Sequence, residues 1–191
     1  MRLSPHVARL VLALVLTVLA AIPAGATTLI RSGLDKLTSE NETVVYGRVL
    51  DIHSYWNAEH TIIMSDVRVR ASQVLKGDKT AREISFTLLG GTVGDITTLI
   101  IGGPELVPGS DYILFLNREQ LYGERQVLTV RDLVQGAFEV AGLGAGRRVY
   151  SQALNHALLP DGEGLDDPPG GSEGLNLDGM LIQIRQLAGD R

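Results

Sequence analysis

The most constraining stretch of the chain is residues 60–75, HTIIMSDVRVRASQVL, where residue character alternates for most of its length. Ile62, Met64, Asp66, Arg68 and Arg70 fall on one parity, and Ile63, Val67 and Val69 on the other. Successive side chains of a strand point to opposite faces, whereas the apolar positions of a helix recur every three to four residues. The alternation therefore specifies a long strand. Residues 43–52, rich in Val and Ile, precede it across a loop around Tyr55, Trp56 and Asn57. We expect these two segments to pair antiparallel, with Lys76-Gly77-Asp78 turning the chain into a third strand from Glu83 to Leu89. Val49, Ile63, Val67 and Val69 are the candidate core residues.

Beyond this point glycine and proline cut the sequence into short pieces, at Gly90-Gly91, Gly94, Gly102-Gly103-Pro104 and Pro108-Gly109. Further strands are expected over residues 97–101, 111–116, 126–131, 135–141 and 147–152. Strands so closely spaced, with no helices between them, argue for an antiparallel barrel or sandwich. Residues 43–159 then form one β-barrel domain. Ile30, Leu34 and Leu37 lie at helical spacing and predict a short N-terminal helix within residues 27–42. Residues 160–176, mostly Gly, Pro and acidic side chains, read as a flexible linker with too few apolar groups to offset the entropy of ordering. After it, Leu177, Met180, Leu181, Ile184 and Leu187 make one apolar face of a helix over 177–191, with Asp178 as its N-cap.

The front of the chain reads as an address. Arg2, His6 and Arg9 precede the apolar residues 10–21, and Ala24-Gly25-Ala26 follows, the three-part pattern of a cleaved secretory signal. The expected signal peptide is residues 1–26, and the mature chain begins at Thr27. The apolar run falls short of the roughly 20 residues that span a bilayer, and no later segment is long enough either. The chain contains no cysteine, so thiolate metal sites, cysteine nucleophiles and disulfides are excluded. An exported domain without disulfides points to a bacterial periplasm or the culture medium. Removal of Arg2 and Arg9 moves the formal charge from −5 to −7. That balance disfavours nucleic acid, whose binding rests on Lys and Arg neutralising phosphates.

No motif names an activity. Asp51, His53, Glu59 and His60 cluster around the first loop, and neutral imidazoles with carboxylates suit zinc, but no helix motif accompanies His53 and His60. Polar residues at strand ends are ordinary loop composition, so neither metal nor cofactor is expected. Tyr55 and Trp56 occupy the same loop and are candidates for contact with a partner, because aromatic side chains are enriched at recognition surfaces. Alternatively, Trp56 folds under the loop and caps the barrel. Gly142 to Gly146 is read as a hairpin turn, since strand-like residues follow it where a phosphate loop would open a helix. Asp161, Glu163, Asp166 and Asp167 lack the spacing of an EF-hand loop. Asn41-Glu42-Thr43 matches a glycosylation sequon, a chance occurrence in a bacterial protein. Neither G-x-S-x-G nor S-x-x-K is present, although carboxylates for glycoside hydrolysis meet in space and leave no sequence trace.

The segments TVVYGRVLDIHS, ASQVLKGD and REISFTLLGG, within residues 42–91, resemble the oligonucleotide/oligosaccharide-binding barrel of the tissue inhibitors of metalloproteinases and netrin-type modules. ILFLNREQLYGERQVLTV matches their fourth and fifth strands. The resemblance covers about half of the mature chain and implies an antiparallel OB-like barrel. In that family an N-terminal cysteine presents its free amine and carbonyl to a protease zinc. Here Thr27 and Thr28 occupy that end, with no disulfide to fix it, so the resemblance supports the fold better than the activity. The expected function is that of an exported, non-enzymatic binding module that engages or restrains a secreted protein such as a metalloprotease. Thr27, Thr28, Tyr55 and Trp56 are its candidate contacts. An envelope hydrolase and a structural envelope component are the alternatives.

Overall fold

A computed structural model describes residues 32–122, 126–131, 133–153 and 173–189. The expected leader, Thr27, Thr28, Ile30 and most of the linker lie outside the described residues. Helix α1 (Leu34–Glu40) precedes β1 (Thr43–Trp56), β2 (Ile63–Lys76), β3 (Glu83–Leu89), β4 (Gly91–Val93), β5 (Ile96–Thr98) and β6 (Asp111–Gln120). Strands β7 (Gln126–Val130), β8 (Ala137–Ala141), β9 (Arg148–Ser151) and β10 (Leu175–Asn176) follow, and helix α2 (Leu177–Leu187) comes last. Eight strands form one antiparallel sheet in the order β10-β9-β8-β6-β1-β2-β3, with β7 also on β6, while β4 and β5 make a separate hairpin. The free edge of β6 is divided, residues 111–114 pairing with β8 and residues 116–120 with β7.

The molecule is mostly β, and the long β1–β2 hairpin is its most extensive pairing. Twelve residue pairs register β1 against β2, from Val44 opposite Lys76 to Trp56 opposite Ile63. The register slips between Val44 and Val45, Tyr46 and Gly47, and Val49 and Asp51. Each slip bends a strand and increases its twist. At the second slip the backbones come so close that a β-carbon on Gly47 would lie 2.4 Å from the Arg70 carbonyl oxygen. The bent sheet brings β3 and β7, on its two opposite arms, near one another.

Around the start of β1 and the middle of β6 both faces of the bent sheet are buried, each in its own core, while the outer face of the far half of the β1–β2 hairpin is solvated. On the inner face Val45, Val49, Val67, Val69, Phe86 and Leu114 pack together. On the other, Val44, Tyr46, Ile113, Phe115, Phe138 and Val149 receive Leu34 and Leu37 from α1 and four residues from α2. This double burial explains the unbroken apolar run Val44-Val45-Tyr46, which cannot alternate because neither side of the strand is wet. Val49, Ile63, Val67 and Val69 have no exposed surface, as expected.

Several boundaries depart from the sequence reading. Strand β1 continues to Trp56, so Tyr55 and Trp56 are paired strand residues and the loop begins only at Asn57. The strand expected at 97–101 shortens to β5, because Gly94, at a φ of 59°, reverses the chain into a two-residue hairpin and β5 has only β4 to pair with. A 3-10 turn, Leu133–Gly136, replaces the first part of the strand expected from Gln135. Residues 142–146 do turn between two antiparallel strands, β8 and β9. At the linker's end, Leu175 and Asn176 add a short strand beside β9. The N-cap of α2 is Asn176, not Asp178: the Asn176 side-chain oxygen accepts from Gly179 N–H at 3.1 Å, filling a donor left open by the first turn. Asp178 stands in the first turn, where a carboxylate favours the helix dipole. The buried stripe ends at Ile184, and Leu187, in the last turn, is exposed.

Candidate functional site

Two neighbouring features occupy the far end of the β1–β2 hairpin, and polar pins fix both. Asn57 is buried and holds the loop of residues 57–62. Its side-chain oxygen accepts from the Thr61 and Ile62 amides at 2.8 and 3.1 Å, and its amide group donates to Glu59 and Thr61, each at 2.9 Å. Tyr55 and Trp56 are each half-buried beside this loop. The Tyr55 ring stacks on His53 with centroids 6.3 Å apart, and its hydroxyl donates to Asp66 at 3.2 Å. The Trp56 ring tilts against His60 at 6.5 Å. His53 and His60 are therefore each partnered by an aromatic ring. Among the described residues no three His, Asp or Glu side chains form a group that could hold a metal ion.

The outer face of this hairpin is a ladder of charge. Asp51 accepts from Arg68, and the Arg68 guanidinium holds the Asp51 carboxyl below its ordinary range. Asp66 accepts from Thr87 at 2.8 Å as well as from Tyr55. Arg48 and Asp111 form a two-pronged pair at 2.8 and 3.0 Å. These are solvated, self-satisfied pairs that leave little for a ligand to complete. Asn41 of the sequon is buried, and its amide nitrogen donates to the Leu37 carbonyl at 2.8 Å, so it closes α1 and presents no side chain to solvent.

The second feature did not emerge from the sequence. Between β3 and β6 the chain leaves the sheet for residues 90–110, crossing the end of the hairpin at Gly90-Gly91. Gly90 N–H donates to the Ile63 carbonyl at 2.8 Å, and its own carbonyl accepts from Ser65 Oγ at 2.7 Å. The Ser54 and Ser65 hydroxyls meet at 2.8 Å beneath Gly91, which has no room for a side chain. From β5 onward the chain exposes apolar groups in succession: Leu99 is 79% exposed and Ile101 71%, with Ile96 and Val107 also more than half exposed. The excursion is nevertheless anchored. Val107 N–H donates to the buried Tyr112 hydroxyl at 3.1 Å, Val134 N–H to the Gly102 carbonyl at 2.8 Å, and the Gln152 side chain brackets the Glu105 backbone at 2.6 and 3.1 Å.

Two hollows flank this strip and share Leu89, Ile100, Gly103 and Pro104 as their common wall. One, of about 340 Å³, opens between the arms of the sheet, with Leu88, Leu121, Val130 and Leu133 as apolar lining and Glu119 and Arg131 at its side. The other, of about 330 Å³, lies under Leu99 and Ile101 with Glu105 at its edge. A third, of about 310 Å³, is lined by Glu105, Glu139 and Gln152. Leu99-Ile100-Ile101 reads in sequence as the end of the strand expected over residues 97–101. The signal against that reading is the Gly102-Gly103-Pro104 break that follows it directly.

At the front, the Ser32 amide donates to the Gln135 side chain at 2.8 Å, both residues buried. The expected contacts Thr27 and Thr28 precede that anchor and lie outside the described residues. No protein-family model, curated protein or solved structure matches the chain.

Proposed function

We propose that this chain is an exported, non-enzymatic binding module that holds a segment of another secreted protein against the excursion of residues 90–110. The observation that carries the reading is the exposed apolar succession Ile96, Leu99, Ile101 and Val107, fixed by backbone hydrogen bonds and set beside two hollows. Exposed apolar surface costs solubility, and a contiguous patch rimmed by polar groups is the usual mark of an interaction site. The half-buried Tyr55 and Trp56 adjoin it through the Gly90–Ile63 hydrogen bond and extend the same end of the molecule.

The finer reading of the sheet is an OB-like barrel of the kind found in metalloproteinase inhibitors. The antiparallel order, the bulges of β1 and the approach of β3 to β7 support it. Export rests on the leader pattern, and mass spectrometry of the secreted chain should find Thr27 as its first residue. To test binding, a photo-crosslinking residue is placed at position 99 in cells that export the protein, with position 182 on the outer side of α2 as control. Adducts at 99 and none at 182 support the module; equal labelling, or none, removes it. If Thr27 ligates a protease zinc, one extra residue ahead of it abolishes inhibition, because acylation takes the amine lone pair. The hydrolase alternative draws on Glu105 and Glu139 lining one hollow. Turnover of an envelope polymer that disappears in Glu139→Gln would favour it.

A further inference from the structure

Charge around the apolar strip says what kind of segment it takes, an inference that rests on the proposed binding role. From Glu83 to Asn117 the sequence contains no Lys, Arg or His, while it carries Glu83, Asp95, Glu105 and Asp111. Asp111 is committed to Arg48. Asp95 and Glu105 are exposed and bracket the strip, one immediately before Ile96 and the other between Ile101 and Val107. Among the described residues the cation that lines these two hollows is Arg131, which lies 4.0 Å from both Glu119 and Glu40 and belongs to the hollow on the far side of Ile100 and Pro104. Among the described residues neither Asp95 nor Glu105 forms an ion pair, so the face that carries Leu99 and Ile101 combines apolar surface with negative charge.

We infer that the partner presents an apolar segment flanked by Lys or Arg, its apolar side chains on Leu99 and Ile101 and its cations at Asp95 and Glu105. Complementary charge steers encounter and sets register, and juxtaposed like charges reject wrong partners. A second copy of this chain would bring its own carboxylates against these two, and a membrane surface of anionic lipid would be repelled by them. The observations thus select a basic, apolar protein segment over self-association and over lipid.

The test uses the mature protein and two synthetic peptides of alternating Leu and Lys or alternating Leu and Glu, with binding followed by fluorescence anisotropy at low salt. The Leu/Lys peptide should bind at least about tenfold more tightly than the Leu/Glu peptide, and added salt should shrink the difference. The variant Asp95→Asn with Glu105→Gln, which removes both charges at nearly constant side-chain shape on exposed residues, should erase the discrimination. Leu99→Ser with Ile101→Ser should weaken Leu/Lys binding by about tenfold or more, since two exposed apolar contacts are lost. Equal binding of the two peptides, or discrimination that survives loss of both carboxylates, overturns the inference. So does dimerisation in sedimentation that Leu99→Ser with Ile101→Ser abolishes, or retention on anionic vesicles. Crosslinks at position 99 in cells, with no preference between the peptides, would sink the charge argument while leaving the binding role standing.

Discussion

A β-carbon at Gly91 would lie 2.3 Å from Ser65 Oγ and 2.4 Å from Ser54 Oγ, at a φ of +131° where L-residues are strained. Gly91→Ala should therefore cost about 2–4 kcal/mol, combining overpacking with backbone strain, read as a lower urea midpoint at unchanged slope. Asp51 supplies a prediction of the opposite kind. Its folded pKa lies below the unfolded value of about 3.9, so its pairing stabilises the fold above that pH and the benefit disappears as pH falls through the folded value. Both partners are exposed, so the effect is small, and its clean signature is the titration itself. In Arg68→Gln the Asp51 carboxyl should titrate at higher pH by NMR than in the native protein. At this scale the sequence was partly legible. Val67 and Val69 declared themselves by parity, whereas the role of Gly91 depends on two serines from different strands, and nothing in GGTVG states what lies beneath it.

Among the elements, α2 shows how periodicity and capping divide the information. Its apolar spacing located the helix, but the cap could not be chosen from spacing alone: Asn176 and Asp178 are both good N-cap types, and the backbone decides which one faces open amides. Ile184 is fully buried and Leu187 is 42% exposed. Ile184→Ala should then cost about 2–5 kcal/mol and Leu187→Ala less than about 0.5 kcal/mol, a contrast that thermal or urea unfolding of the two variants will show. The long hairpin was legible because one parity is dry over most of β2. The excursion over residues 90–110 was not, since an apolar triplet looks the same whether a sheet or a partner covers it.

For the molecule as a whole, the two buried tyrosines set an alkaline limit. Burial, the largest influence on each, raises the Tyr46 and Tyr112 hydroxyls above the ordinary value of about 10. A raised pKa stabilises the fold below the unfolded value, and that contribution disappears as pH climbs through the folded ones. Stability should thus fall above about pH 10, and replacing Tyr46 by Phe should soften the fall in a pH series of urea midpoints. Tyr46 lies in the core on the helix-covered side of the sheet and Tyr112 in the core on the other, so the limit acts on both together.

The place of β1 in the sheet, between β2 and β6, also governs when the molecule can form. β1 meets β2 through a short loop, yet its other edge waits for β6, with Arg48 pairing to a residue 63 positions later. Neither core has its middle wall until that distant strand arrives. Pairing across such separations is slow, typically milliseconds to seconds in β-rich domains, because loop closure is unfavourable until the contacts it allows are made. For a chain that leaves the cell as proposed, this delay keeps it threadable: the front can enter a translocation channel before the back has supplied the strand that would lock it shut.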